Sequence, residues 1–115
     1  MTSIEVQWYD RQGQPISGEV AGAMLANGDD FVKRTQIGDG ADLRKSFTVS
    51  TIWMGVDIEL GEYPQPMIFQ TSVFDRKVRV ADVGTATEEA ALQAHAAMIE
   101  EYSRRLIDPI AVDDD

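Results

Sequence analysis

The sequence predicts an α+β fold in which an antiparallel sheet of four to five strands packs one face against a C-terminal helix. Two observations lead to this prediction. Apolar and polar side chains alternate along several runs between residues 4 and 81, as half-buried strands require. Between residues 85 and 106 the apolar residues recur every three or four positions, which is the period of an amphipathic helix. We expect one domain over residues 1–110, because a chain of 115 residues can bury a single core.

The N-terminal part contains two predicted strands and a short helix. Alternation over Ile4–Tyr9 predicts the first strand, which a polar turn ends. We expect a helix over Gly18–Leu25 that Asn27–Gly28 terminates, because both of these residues tolerate left-handed backbone. Phe31–Ile37 predicts the second strand, and the loop after it should be exposed.

The strongest strand signals come in the middle of the chain. Phe47–Ile58 is apolar on both faces towards its end, which is typical of a central strand, and it contains Trp53. A short loop with two prolines follows, so Met67–Phe74 should pair with it in an antiparallel manner. Lys77–Ala81 alternates cleanly and predicts a final strand near the sheet edge, where lysine discourages pairing with other chains.

The C-terminal helix should begin at a cap supplied by Thr85 or Thr87 and end before Asp108–Pro109. The last residues, 111–115, include three aspartates and predict a solvated, disordered acidic tail. The apolar stripe of the helix is formed by Leu92, His95, Ile99, Tyr102 and Leu106.

Composition excludes several kinds of site. The chain has no cysteine, which rules out disulfides, thiolate zinc sites and cysteine nucleophiles and fits a reducing compartment. The N-terminus lacks the pattern of a signal peptide, and no stretch approaches the ~18 apolar residues that a membrane span needs. We therefore expect an unexported, soluble protein without membrane contact and without a cofactor or metal.

The net charge is −10, from 20 acidic and 10 basic residues. Nucleic-acid binding is driven by lysine and arginine, so direct contact with DNA or RNA is not expected. Two interpretations of the acidity remain open: it maintains solubility, or it attracts a basic protein surface.

No arrangement typical of catalysis stands out, and we predict that the protein is not an enzyme. His95 is the only histidine, and its place on the apolar stripe favours a partly buried side chain that bonds across the helix–sheet interface. Neighbouring carboxylates in a helix point in different directions and do not converge on one bond. Asp57 lies among apolar residues, so its carboxylate must reach solvent, a cap or a cation.

Three segments carry a resemblance to known proteins. They are Thr48–Asp57, Pro66–Phe74 and Ala86–Ala90 with His95, and they resemble the pattern VSTxWxGxD, PxxFxTxVF and TxxEAxxxH. This pattern resembles a group of small phage and prophage proteins of uncharacterised function. Residues 1–45 are not covered, and the glycine-rich loop usual after the aspartate is replaced here by Glu59–Gln65.

The resemblance implies a phage accessory protein, and small acidic proteins of this kind often inhibit host proteins, as anti-CRISPR and other anti-defence factors do. We therefore predict a protein of the host cytoplasm that binds a basic surface of a host nucleic-acid-handling or defence protein. The chain would act as a monomer or a homodimer. The predicted partner-binding residues are Glu88, Glu89, Glu100, Glu101, Asp57, Glu59, Glu62 and Tyr63. The alternative is a virion structural or assembly protein that self-associates through its sheet.

Overall fold

Five antiparallel strands form the main sheet in the computed structural model, which describes residues 6–114. Within these residues a two-stranded ribbon and two helices complete the structure, and the C-terminal helix packs on one face of the main sheet. The predicted α+β fold is therefore confirmed. In chain order the elements are β1 (Trp8–Tyr9), β2 (Pro15–Ile16), α1 (Gly18–Ala26), β3 (Phe31–Asp39), β4 (Ser46–Trp53), β5 (Phe69–Asp75), β6 (Val78–Thr85), α2 (Glu88–Ser103) and β7 (Pro109–Asp114).

The strand order of the main sheet is β6-β5-β4-β3-β7, so β4 lies at the centre and β6 at an edge, as predicted. Alternate residues of β4 point to opposite faces of the sheet. Val49, Thr51 and Trp53 are buried on the face that α2 covers, whereas Thr48 and Ser50 lie half-buried on the other face. The core is therefore the layer between the sheet and α2.

The central strand ends at Trp53, earlier than the predicted end at Ile58. Gly55 has a φ of 76°, and a Cβ atom there would lie 2.8 Å from ring atoms of both Trp53 and Trp8. Only glycine fits this left-handed turn, and it takes the chain out of the sheet. The apolar residues after it do not extend the strand. Ile58 instead packs against Gly84 of β6.

Within the described residues, the first predicted strand covers only Trp8–Tyr9 and pairs with β2 in the ribbon, outside the main sheet. Its predicted start, Ile4–Glu5, lies outside the described residues. The predicted helix is present as α1: the Ser17 hydroxyl accepts a hydrogen bond from its first turn, and Asn27 caps its end. Gly28 follows with a φ of 78°, in agreement with the predicted terminator.

Helix α2 begins after Thr87, whose Oγ1 accepts a hydrogen bond from the Ala90 N–H at 3.1 Å. The predicted apolar stripe is wrong at Leu92, which is 40% exposed, because Ala91, four residues before His95, takes the buried position. The helix ends at Ser103, before the predicted stop, and Leu106 is buried by the turn that follows. The buried residues of the helix are Ala91, His95 and Tyr102.

The prediction of a disordered tail is wrong for residues 111–114, which belong to β7. This strand pairs with β3 from Arg34↔Asp114 to Asp39↔Pro109. Its aspartates find partners on β3: the Thr35 hydroxyl donates to Asp113 at 2.6 Å, and the Arg34 guanidinium lies 3.3 Å from Asp114. A run of aspartates looks solvated in a sequence, and only the register with β3 supplies these partners.

Candidate functional site

Four segments meet at the end of the main sheet where β4 ends and β5 begins. They are the β1–β2 ribbon, α1, the loop between β4 and β5 and the first turn of α2. We call this region the acidic end and define it as residues 8–30, 54–68 and 86–89. A cluster of buried side chains holds these segments together, namely Ala21, Trp53, Ile68, Phe69 and Ala91.

The acidic end carries nine acidic side chains and one basic one, whereas the remaining described residues carry nine of each. All of the net charge of residues 6–114 therefore lies at this end. A one-signed surface of this kind produces a field that attracts a basic partner over several ångströms. The acidic residues are Asp10, Glu19, Asp29, Asp30, Asp57, Glu59, Glu62, Glu88 and Glu89, and the basic residue is Arg11.

Arg11 forms hydrogen bonds that join the segments of the acidic end. Its Nε donates to the Glu88 carboxylate at 2.6 Å, and its Nη1 donates to the carbonyl oxygens of Asp29 at 3.2 Å and Phe31 at 3.3 Å. One guanidinium thus ties the ribbon to α2 and to the start of β3. Its positive charge is offset by Glu88, so the other carboxylates of this end have no basic side chain of their own region beside them.

Two tryptophans join the segments of the acidic end. The rings of Trp8 and Trp53 lie 6.5 Å apart between centroids, and the Trp53 indole N–H donates to the Tyr9 carbonyl oxygen at 3.0 Å. The Tyr9 N–H in turn donates to the Gly55 carbonyl oxygen at 2.8 Å. The ribbon is therefore fixed to the β4–β5 loop, and both present their outer surfaces from a constant position.

Asp57 shapes the β4–β5 loop. Its carboxylate accepts three backbone hydrogen bonds, from Met67 at 3.0 Å, from Glu59 at 3.1 Å and from Gly61 at 2.7 Å. These bonds, with that of Met67 the largest contribution, hold the pKa of Asp57 below its ordinary value. The carboxylate thus caps backbone N–H groups, which is one of the three alternatives expected from the sequence. Its contact with a partner stays a prediction.

The loop that Asp57 holds presents apolar side chains to solvent. Leu60 is 93% exposed and has a φ of 53°, and Tyr63 is 50% exposed. A left-handed backbone at a residue other than glycine costs roughly 1–2 kcal/mol. Sequence reasoning missed Leu60, because a single leucine between Glu59 and Gly61 carries no periodic signal. Exposed apolar residues also occur on α1, at Val20 and Leu25.

Six of the eight predicted partner-binding residues lie at the acidic end, and two do not. Glu100 and Glu101 lie in the last turn of α2, about 18 Å along the helix from Glu88. They form ion pairs with Arg104 at 2.8 Å and Arg105 at 3.6 Å. These two glutamates therefore lie apart from the other predicted residues, because they are at the opposite end of α2.

His95 lies in the core between α2 and the sheet, with no exposed surface, and bonds across the interface as predicted. Its Nε2 lies 2.9 Å from Thr35 Oγ1 and its Nδ1 lies 2.7 Å from Thr51 Oγ1. The Thr35 hydroxyl donates to Asp113, so it can accept only from Nε2–H. Nδ1 then accepts from Thr51, whose oxygen lies 2.7 Å from the Thr71 hydroxyl.

This chain of hydrogen bonds requires a neutral imidazole. Burial lowers the pKa of His95 to about 4, and the nearby positive charge of Lys33 acts in the same direction. The hydroxyl of Thr35 holds the pKa of Asp113 below its ordinary value. Every member of the chain is committed to a partner, and a substrate cannot reach the imidazole, so the arrangement joins α2 to β3, β4 and β7.

Residues 6–114 contain no group of three or more histidine, aspartate or glutamate side chains placed to hold a metal ion. No helix in the same part of the chain is long and apolar enough to cross a membrane. Comparison with protein-family models, curated proteins and solved structures finds no match.

Proposed function

We propose that the protein is a non-enzymatic inhibitor of phage type that binds a basic surface of a host nucleic-acid-handling or defence protein. The acidic end is the binding surface. The observation that supports this proposal is the location of the net charge of the described chain, all of which lies at that end. Acidity that served solubility alone would need no such concentration, since any distribution of the same charge keeps a protein soluble.

The charge of the acidic end suits a site that normally holds phosphate. A groove that binds nucleic acid is lined by lysine and arginine, and it releases counterions when an anionic ligand enters. Carboxylates mounted on a rigid scaffold can replace the phosphates in such a groove and exclude the nucleic acid. Their field also raises the association rate at low salt.

Leu60 and Tyr63 provide the apolar anchors that charge alone does not supply. Interfaces concentrate their binding energy in a few desolvated side chains, among which aromatic residues are common. Leu60 is exposed on a loop fixed by Asp57 and carries the cost of a left-handed backbone. Strain of this kind persists where the surrounding structure imposes it and is concentrated at binding sites.

The test uses two double variants with the same change in net charge. Glu62→Lys with Glu89→Lys reverses charges at the acidic end, and Glu100→Lys with Glu101→Lys reverses two charges at the far end of α2. The immobilised chain captures a partner from bacterial lysate at low and high salt. The affinity of the purified partner is then measured for each variant. We expect the first variant to lose at least about tenfold in affinity, and the second less than about twofold.

An inhibitor must also compete with the partner's nucleic acid, which a mobility-shift titration measures. Equal losses for both double variants would show that total charge, and not the acidic end, is responsible. A partner that keeps its nucleic acid while saturated with this protein would refute inhibition. Thermal melts of the two variants check that each remains folded, since the second also loses two ion pairs on α2.

A second candidate function is self-assembly within a virion. Both edge strands leave apolar side chains open to solvent: Val78 and Val80 of β6, and Ile110 and Val112 of β7. Unpaired edges can add strands from other copies and build a continuous sheet. Size-exclusion chromatography distinguishes the candidates, because assembly predicts large oligomers without a partner and inhibition predicts a monomer or dimer.

A further inference from the structure

A cavity of about 760 Å³ lies at the end of the sheet opposite the acidic end. The β3–β4 loop, the β5–β6 turn and the residues after α2 surround it. We call this region the pocket end and define it as residues 39–47, 75–80 and 100–109. It carries seven basic and six acidic side chains, so its charge is opposite in sign to that of the rest of the described chain.

The floor of the cavity is apolar. Phe47 packs edge-on against Tyr102, with 4.9 Å between the ring centroids. Val78 and Val80 of the edge strand are 65% and 45% exposed, and Leu106 completes the floor from the other side. These side chains leave an apolar surface open to solvent next to charged residues, which is the lining typical of ligand pockets.

Four cations and two carboxylates, those of Asp42 and Asp75, line the cavity, and two of the cations lack an acidic partner. Arg44 lies 3.1 Å from the Asp42 carboxylate, and Arg105 lies 3.6 Å from Glu101 and stacks on the Tyr102 ring at 4.2 Å. In contrast, Lys45 and Arg76 have no carboxylate oxygen within 4 Å anywhere in residues 6–114. Two positive charges beside an apolar floor call for an anionic ligand.

The backbone of Arg76 provides a second, independent observation. Its φ is 59°, the left-handed conformation that glycine or asparagine ordinarily adopts in a hairpin turn. The Arg76 guanidinium reaches across to the Arg44 carbonyl oxygen at 3.5 Å, so it leans over the cavity. Strain of this kind is concentrated at binding sites, so it favours a binding role for the Arg76 side chain.

We propose that this cavity binds a small amphipathic anion. The apolar body of the ligand packs on Phe47, Val80 and Leu106, and its carboxylate or phosphate lies between Lys45 and Arg76. A cavity of this volume accommodates an aromatic group or a fatty acyl chain. The site is separate from the acidic end, so it stands or falls independently of the inhibitor function.

Isothermal titration of the full chain with 1-naphthyl phosphate tests the site, and dodecanoate serves as the carboxylate probe. The informative variant is Lys45→Gln with Arg76→Gln. The matched controls are single variants, Arg76→Gln against Lys77→Gln, which removes the same charge from the same turn outside the cavity. We expect saturable binding of at least one probe, an affinity about tenfold lower in the double variant, and an unchanged affinity in Lys77→Gln. The tighter probe shows which of the two combinations of apolar body and anionic headgroup the cavity prefers.

Inorganic phosphate and 1-naphthol separate the two halves of the ligand, and we expect neither to bind as tightly as the intact probe. Equal affinity for either of them would refute an amphipathic site. So would the absence of saturable binding for both probes up to about 1 mM, or an equal loss in Lys77→Gln. The variant Glu62→Lys with Glu89→Lys should bind the probe as the natural chain does, whether or not the inhibitor function is correct.

Discussion

The two ends of the sheet are built with the same two devices and present different chemistry. At each end one aspartate holds a loop through three backbone N–H groups, and one residue other than glycine adopts a left-handed backbone. At the acidic end these are Asp57 and Leu60, and at the pocket end they are Asp39 and Arg76. The same backbone arrangement thus holds a loop at both ends, and only the side chains that the two loops expose differ.

Asp39 shows how closely the devices match. Its carboxylate accepts from the N–H groups of Ile107, Asp108 and Ala41 at 2.9–3.0 Å. These bonds hold the pKa of Asp39 below its ordinary value, and the bond from Ile107 makes the largest contribution. The corresponding bonds lower the pKa of Asp57 in the same way. Both carboxylates therefore stay ionised at neutral pH, while the backbone uses most of their capacity to accept hydrogen bonds.

The largest effect that we predict concerns the acidic end alone. Gly55→Ala would place a methyl group 2.8 Å from two tryptophan rings at a positive φ, so we expect a loss of about 3 kcal/mol in the free energy of unfolding. The matched control is Gly61→Ala, where φ is 81° and nothing lies within 4 Å. Urea denaturation should give only about 1 kcal/mol for the control, and equal losses would contradict the packing argument.

The second prediction concerns the core that joins the two ends. The pKa of His95 is about 4 in the folded protein and 6.5 in an unfolded chain. Between these values the unfolded state binds a proton that the folded state does not, so stability falls as the pH drops from 6.5 to 4. The expected total is up to about 3 kcal/mol.

Denaturation at several pH values checks this prediction, with His95→Gln as the reference variant that lacks the titrating group. Asp39, Asp42, Asp57 and Asp113 all have lowered pKa values, so their contributions are lost progressively as the pH falls below about 5. The window above about pH 5 therefore belongs to His95. An unchanged slope in His95→Gln would refute the assignment.

The third prediction concerns the two loops that Asp57 and Asp39 hold. Asp57→Asn and Asp39→Asn each replace one acceptor oxygen by an amide donor that faces backbone N–H groups, so we expect each to lower the melting temperature by roughly 5 °C. Hydrogen exchange should speed up in residues 57–67 for the first variant and in residues 39–41 and 107–108 for the second. Exchange that rises at both ends in both variants would show that the ends are not independent.

The smallest effect that we predict distinguishes the backbone strain at Leu60 and Arg76 from a binding role of their side chains. Leu60→Gly and Arg76→Gly should each raise the free energy of unfolding by about 0.5–1 kcal/mol, because glycine accepts their positive φ. Lys77→Gly, at a neighbouring position without a positive φ, should lower it by a similar amount. We expect Leu60→Gly to weaken only the binding of the protein partner. We expect Arg76→Gly to weaken only the binding of 1-naphthyl phosphate. A gain in stability without either loss would show that these side chains have no binding role.

Periodicity in the sequence was sufficient for the architecture. The alternation around Val49 and Val73 and the helical spacing after Thr87 predict the sheet, its central strand and the covering helix, because burial of one face imposes a period on each element. The same patterns failed at Leu92 and at the end of β4. Gly55, which packs against Trp8 and Trp53, takes the chain out of the sheet after β4, and in α2 the buried residue of the cluster is Ala91 in place of Leu92.

By itself the sequence determined the α+β class, the interfacial histidine and an excess of negative charge. The tertiary structure alone decided where that charge lies, because residues 10, 57 and 88 are distant along the chain and meet only when β4 ends beside the start of α2. It also decided that the final aspartates form a strand, since an acidic run has no period and gains its partners only from the register with β3. Local pattern predicts elements, whereas contacts between distant residues create the two ends.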